Sequence, residues 1–401
     1  MSTLHPGYAT RQGTESYAGA FGAGCAPGHY SDFLNLHLKL SSLGVGTFPG
    51  AATDAVDEAY AGVVASAARA GINVFDTAPH YRYGRSARAL GAGRAPAGAG
   101  GRARGGDVRG GGGLARAFAA GVAREHVFVV AKGGFLAFPD GVPADLDGWF
   151  DASIAARGLG TRDDLAGRHL ISPAHLAAQI DAAREALGLA TLDAFLLDQP
   201  EVHVPAIGKE RANRKIGAVF EAFETAVHAG KIRCYGVATF DGLRVETDAP
   251  PFQSITSLLG LAERAARTVA GDARHAFRIV QLPFNQAMPE GFTRFSQATG
   301  QGNVASSIQA AHQLRVYVMA SHVLGKGMFA RQCADALAAA TPGLANHAQR
   351  ALQFARSTPG IGTSLAGVST PAHLDDLLAV ARVAPLAKAE YLKLYARAGE
   401  P

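Results

Sequence analysis

A lysine stands in an otherwise apolar run, VVAKGG, at position 132, and an acid, two tyrosines and a histidine crowd into NVFDTAPHYRYGRSARALG, residues 73–91. A lysine in such a frame is expensive to bury unless an acid pairs with it. Asp76 can supply that partner if its strand lies beside that of Lys132. A lysine held near Tyr81 or Tyr83 is expected to lower the phenol pKa and so make a better proton donor near neutrality. The same residues would equally serve as a structural Lys–Asp pair beneath a surface tyrosine. A second stretch, FLLDQPEVH (195–203), ends a strand-like run at Asp198. Its Glu201 and His203 read as a solvated loop more readily than as a metal site with Asp198.

These residues need a scaffold that brings several strand ends together. Strand-like runs occur at 40–48, 72–78, 127–135, 193–200, 232–240, 277–285, 315–323 and 361–369. Helical stretches follow most of them, at 56–70, 173–188, 216–230, 304–314, 344–356 and 371–382. Alternating strands and helices imply βαβ units and a parallel sheet. Eight units favour an α/β fold of the (β/α)8 TIM-barrel type, whose functional residues sit at the C-terminal strand ends. A doubly wound sheet has the same periodicity. The expected organisation is an N-terminal extension over 1–38, a barrel over 39–385 and a C-terminal tail over 386–401. The extension either covers the open bottom of the barrel or packs at an oligomer interface. Within the barrel, 92–113 is too rich in glycine to pack and is expected to be disordered. The long connection 136–172, with Trp149, is either a lid over the site or a surface excursion.

The 401 residues carry a formal charge of only +5, and aromatic residues do not interleave with Arg102, Arg104, Arg109 and Arg116, which argues against nucleic-acid binding. Cys25, Cys234 and Cys333 are odd in number and widely spaced, which fits a reducing compartment rather than a disulfide framework or a metal cluster. The first residues lack an apolar signal core and no run is long and apolar enough for a membrane span. The expectation is a cytoplasmic protein, monomer or homo-oligomer, acting on a small molecule without metal, membrane or nucleic acid.

Residues 73–91 resemble the signature of the aldo-keto reductase family, and the similarity continues through VVAKGGF, KIRCYGVATFDG, IVQLPFNQAMPE and STPGIGTSLAGVSTPAHLDDLL. The resemblance implies an oxidoreductase of specialised metabolism that reduces a carbonyl, or oxidises an alcohol, of a small molecule and uses NADPH, with NADH as the alternative coenzyme. It makes Asp76, Tyr81 and Lys132 the catalytic set, with Tyr81 as the acid. The fourth catalytic position in the family is a histidine, and Asp198 occupies it here. Ionised, Asp198 would repel a developing oxyanion, compete for Lys132 and raise the tyrosine pKa; protonated, it can donate to a carbonyl. His80, otherwise a solvated loop residue, and His322 are alternative donors, and His80 and Trp149 are candidate substrate contacts. For the cofactor, the resemblance points to Thr239, Gln281, Ser321, His322, Leu324, Gly325, Lys326 and Gly327 around the nicotinamide and diphosphate. Ser369, His373 and Asp376 fall at the adenosine end. A second reading keeps the barrel and the Tyr–Lys–Asp set for a non-redox step, as in a dehydratase, isomerase or lyase. A third is a non-catalytic nucleotide-binding protein.

Overall fold

Each of the eight apolar runs forms one parallel strand in the computed structural model, which describes residues 4–93, 111–300 and 302–395. The strands are β1 (Leu43–Gly46), β2 (Val74–Asp76), β3 (Phe128–Gly133), β4 (Leu192–Asp198), β5 (Ile232–Ala238), β6 (Phe277–Pro283), β7 (Tyr317–Ser321) and β8 (Thr363–Gly367). They close in sequence order into a barrel, so the architecture is the (β/α)8 barrel. Both faces of such strands are covered, which is why they read as apolar runs rather than as alternating patterns. One layer of the barrel wall carries Asp198 opposite Ala238, and Ala238 opposite Gln281.

The interior is filled by Val74, Phe128, Val130, Ala194, Leu196, Cys234, Ile279, Met319 and Leu365. Phe33, Leu38 and Leu40 join this cluster from an N-terminal hairpin of Tyr30–Phe33 and Leu38–Ser41. Phe33 stacks on Tyr317 at 4.5 Å between ring centroids and meets Phe128 at 5.9 Å. The extension therefore plugs the N-terminal mouth of the barrel, and burial of Phe33 alone contributes roughly 1.5–3 kcal/mol. The run expected as one strand over 40–48 thus serves two elements, the second arm of the hairpin and β1. A bridge at Ser41 marks the break: its N–H donates to Asn73 Oδ1 at 2.8 Å and its hydroxyl to Leu43 O at 2.7 Å.

The helices outside the barrel include α1 (Asp54–Arg69), α2 (Pro173–Leu187), α3 (Lys209–His228), α4 (Ile255–Ala270), α5 (Ser307–Gln313), α6 (His347–Arg356) and α7 (Pro371–Ala381). Two boundaries differ from expectation. α3 starts at Lys209, because Gly208 (φ 78°) ends the preceding turn and the polar KERANRK run still wraps a helix around buried Ala212. The segment expected to be helical from 304 instead pairs Val304–Ser306 with Phe295–Ala298, and α5 begins after Ser306, whose hydroxyl accepts from Gln309 N–H in a capping box.

The connection after β3 is an ordered insertion with its own apolar cluster of Leu136, Phe138, Phe150, Ile154 and Leu170, against which Trp149 packs. It ends in a small hairpin, Leu165–Ala166 with His169–Leu170. Most of the glycine-rich stretch expected over 92–113 lies outside the described residues. No helix among the described residues is long and apolar enough to cross a membrane.

Candidate active site

The C-terminal ends of β2, β3, β4 and β6 converge on one buried ammonium. Lys132 is 1 % exposed. Its Nζ forms an ion pair with Asp76 Oδ1 and donates to Tyr81 Oη at 3.3 Å, and it lies 5.1 Å from the centre of the Tyr81 ring. The other oxygen of Asp76 accepts from Gln281 Nε2 at 3.0 Å. Asp76 is thus held from both sides, as a buried carboxylate must be. Tyr81 starts a short turn directly after β2, and its ring packs edge-on against Phe48 at 5.1 Å and His80 at 4.8 Å.

The electrostatics correct one expectation from sequence. Burial raises the Tyr81 pKa. Lys132 draws it down, but Asp76 and Asp198 push it back up, and the phenol stays above its ordinary value. Tyr81 therefore holds its proton throughout the neutral range. Burial acts to lower Lys132, but Asp76, followed by Tyr81 and Asp198, keeps the ammonium above its usual pKa. Asp198 is 6 % exposed, and burial pushes its carboxyl up to about 7 against the pull of Lys132. Lys132 bonds Asp76 and Tyr81 rather than Asp198, so the anticipated competition between the two carboxylates is resolved in favour of Asp76.

Two further expectations are overturned by packing. His80 is not a solvated loop residue: its ring sits between Tyr81 and Phe135, the latter at 5.0 Å, and burial lowers its pKa to about 4. Glu201 and His203 are not solvated either, at 2 % and 1 % exposed. Glu201 Oε1 accepts from the backbone N–H groups of Phe240 and Asp241 at 2.6 and 3.1 Å, tying the loop after β4 to the loop after β5. Among the described residues no group of three or more histidine, cysteine or acidic side chains could hold a metal ion.

His169, which no local pattern marks, is delivered by the insertion beneath Asp198. Its Nε2–H donates to Asp198 O at 2.5 Å, and its Nδ1 accepts from His203 Nε2–H at 2.8 Å, the tautomer that the carbonyl partner requires. Gly134, at φ 128°, leaves the space this ring occupies: a Cβ there would lie 2.2 Å from His169 Nε2. Gly134→Ala is expected to destabilise the protein by roughly 2–3 kcal/mol through overpacking, seen as a lower Tm in thermal unfolding. Trp149 packs on Phe138 within the insertion at 4.9 Å.

The proposed cofactor positions lie on the same barrel face and beyond it. Thr239 Oγ1, just after β5, is buried with no hydrogen-bond partner, while Gln281 gives its amide nitrogen to Asp76. After β7, Ser321 Oγ and His322 Nδ1 are 3.3 Å apart, and His322 packs on Phe240 at 5.2 Å. His322, Gly325, Lys326 and Gly327 have left-handed φ values of 53°, 53°, 56° and 89°, forming a tight turn beside half-buried Leu324. Lys326 is exposed and has no ion pair among the described residues. An orphaned buried hydroxyl and an unpaired lysine on a turn with glycines suit a carboxamide and a diphosphate, so these residues fit a nicotinamide dinucleotide. At the start of α7, Thr370 Oγ1 accepts from His373 N–H, and Ser369 precedes it. Asp376 accepts from Asn346 Nδ2 and Gln349 Nε2 at 2.7 and 2.8 Å, which commits its Oδ1 to the start of α6.

A parallel eight-stranded barrel with a buried Asp–Lys–Tyr set at its C-terminal mouth defines a barrel enzyme of the carbonyl-reducing type. Residues 42–249 match the model of the Aldo/keto reductase family, and the chain belongs to that family, an oxidoreductase family. No curated protein matches it in sequence. Among solved structures, an aldo-keto reductase from Bacillus halodurans in its holo form is similar at 15 % identity and a TM-score of 0.55, over 92 % of this chain and 96 % of that one. An aldo/keto reductase from Klebsiella pneumoniae, in complex with NADP and acetate, is similar at 17 % identity and a TM-score of 0.53, over 89 % and 91 %. Such likeness shows a shared fold.

Proposed function

We propose that the chain reduces a small-molecule carbonyl with NADPH, Tyr81 acting as the proton donor. The observation that carries this reading is Lys132 placed between Asp76 and Tyr81, since a surface tyrosine above a structural ion pair would not need its hydroxyl on the ammonium. When bound, NADPH supplies the hydride to the carbonyl carbon. Tyr81 Oη gives its proton to the carbonyl oxygen, leaving a phenolate that Lys132 Nζ stabilises by charge and hydrogen bond. Asp76 keeps Lys132 charged and in place. Protonated Asp198 is the second donor to the carbonyl oxygen, in the role a histidine would otherwise fill, and His80 lines the substrate space. Thr239, Gln281, Ser321 and His322 would hold the nicotinamide; Leu324 to Gly327 the diphosphate; and Ser369, His373 and Asp376 the adenosine half. The three cysteines are free thiols, in keeping with the cytoplasm as the location we propose.

One observation favours a second reading, a non-redox acid–base step in the same barrel: the Gln281 amide nitrogen is taken by Asp76, so one coenzyme contact is already in use. Titration with NADPH and NADH, read through Trp149 fluorescence and nicotinamide emission, separates the two. Micromolar binding with a preference for NADPH is expected. Absence of binding by either coenzyme at millimolar concentration sinks the reductase reading and leaves the non-redox one.

A further inference from the structure

Directly after Tyr81 the backbone takes a rare course. Arg82 (φ 50°), Tyr83 (φ 58°) and Gly84 (φ 78°) lie consecutively in the left-handed region, which only glycine adopts without strain. Two successive non-glycine residues in this region persist only where their surroundings force them to, and such strain concentrates at functional sites. The surroundings here are explicit. The Arg82 side chain is 2 % exposed and pairs with Asp57 Oδ1 at 2.5 Å, itself 1 % exposed. Its Nε donates to Ala51 O at 3.0 Å, the nitrogen that meets Asp57 also reaches Thr53 O at 3.4 Å, and its guanidinium lies 5.2 Å over the Tyr60 ring. Arg85 reaches Asp57 and Asp54 from the next turn. Ser86 Oγ completes the tie by donating to Thr47 O at 2.7 Å.

These contacts fasten the turn after β2 to the loop after β1, residues 47–53. That loop carries Phe48, whose ring meets the Tyr81 ring edge-on. A charged residue has thus been buried and strained one position beyond the phenol, where a glycine would satisfy the backbone alone. We infer that Arg82 is a positioning residue for Tyr81. Its clamp onto Asp57 and the 51–53 carbonyls fixes the direction from which the Tyr81 hydroxyl meets Lys132 and the substrate carbonyl. The inference rests on the reading of Tyr81 as proton donor. A role confined to anchoring α1, the helix that carries Asp54 and Asp57, is the alternative it must exclude.

Arg82→Gly removes the clamp while leaving a residue that accepts φ 50°, so the fold is expected to survive. Protein labelled with 3-fluorotyrosine, with the Tyr81 resonance assigned by its loss in Tyr81→Phe, reports on the phenol without any substrate. The wild type is expected to give one sharp Tyr81 signal and the variant a broadened or split one. Turnover is expected to fall by about tenfold in kcat with KM unchanged, as for a misaligned group. Arg82→Lys, or added methylguanidine, should restore part of both. If Arg82→Gly fails to fold, Arg82→Asn, which tolerates φ 50° and lacks the guanidinium, carries the same two readouts. An unchanged Tyr81 resonance at full kcat, with only a lowered Tm, overturns the inference and leaves Arg82 as an anchor of α1. If Tyr81→Phe itself retains turnover, the proton-donor reading fails, while the resonance still decides whether Arg82 orders Tyr81.

Discussion

Tyr81→Phe is expected to lower carbonyl-reduction turnover by roughly 10²–10⁴-fold, the usual contribution of a positioned general acid, while coenzyme affinity stays unchanged. The substitution removes one oxygen atom and keeps the ring that packs against Phe48 and His80. Lys132 retains its ion pair with Asp76, so no buried charge is left alone and the loss reads as chemistry rather than stability. The measurement is NADPH consumption followed by absorbance across a set of aldehydes and ketones, beside a fluorescence titration of the same protein. Lys132→Met is a poorer test, because it strands Asp76 as a buried carboxylate and mixes unfolding with catalysis. Retention of full turnover by Tyr81→Phe would remove the phenol from the mechanism and direct attention to His80 and Asp198.

The barrel was legible because its evidence is local. VFVVAKGGF and FRIVQLPFN are mostly apolar runs long enough for one buried strand each, and helical patterns follow most such runs. The contact of Lys132 with Asp76 was legible for a related reason: a lysine in an apolar strand calls for an acid on a neighbouring strand. What was hidden depends on contacts between distant segments. Gln281 reaches Asp76 across 205 positions, and no local feature of VQLPFN tells whether its amide faces a coenzyme or a carboxylate. His169 lies in an irregular insertion, where nothing marks it as the partner of the Asp198 carbonyl. The direction of the Tyr81 pKa is not legible in sequence, because the lysine is visible there, whereas the burial that outweighs it arises only in the fold, where Phe48 and His80 pack on the ring. Nothing in the sequence sets Arg82 apart from Arg85 or Arg88; its significance lies in a backbone conformation that side-chain types do not encode.

Asp198 should make both activity and stability depend on pH near neutrality, in a sense opposite to that of an ordinary carboxylate. Its folded pKa of about 7 stands above its ordinary value of 3.8, chiefly through burial, with Asp76 and Glu201 adding to the rise and Lys132 and Gln199 opposing it. As donor to the carbonyl oxygen it works only when protonated. Turnover is therefore expected to be full on the acid side of this value and to fall as pH rises through about 7. Tyr81, held above its usual range, contributes no competing loss there. The same raised pKa means that the folded state keeps a proton which the unfolded chain releases. Its contribution to stability is fully present below the unfolded carboxylate pKa and is lost as pH rises to the folded value. Asp198→Asn replaces the titrating donor by a neutral N–H donor. It should abolish the alkaline fall in kcat and raise Tm more at pH above 7 than in acid. Asp198→Ala, which removes the donor, should cost about 10²–10³-fold in kcat. If wild-type kcat is level across the neutral range and Asp198→Asn is as inactive as Asp198→Ala, the working form is the carboxylate. A charge facing the substrate oxygen would then oppose hydride addition, and the acid–base reading without coenzyme would gain the ground that the reductase reading loses.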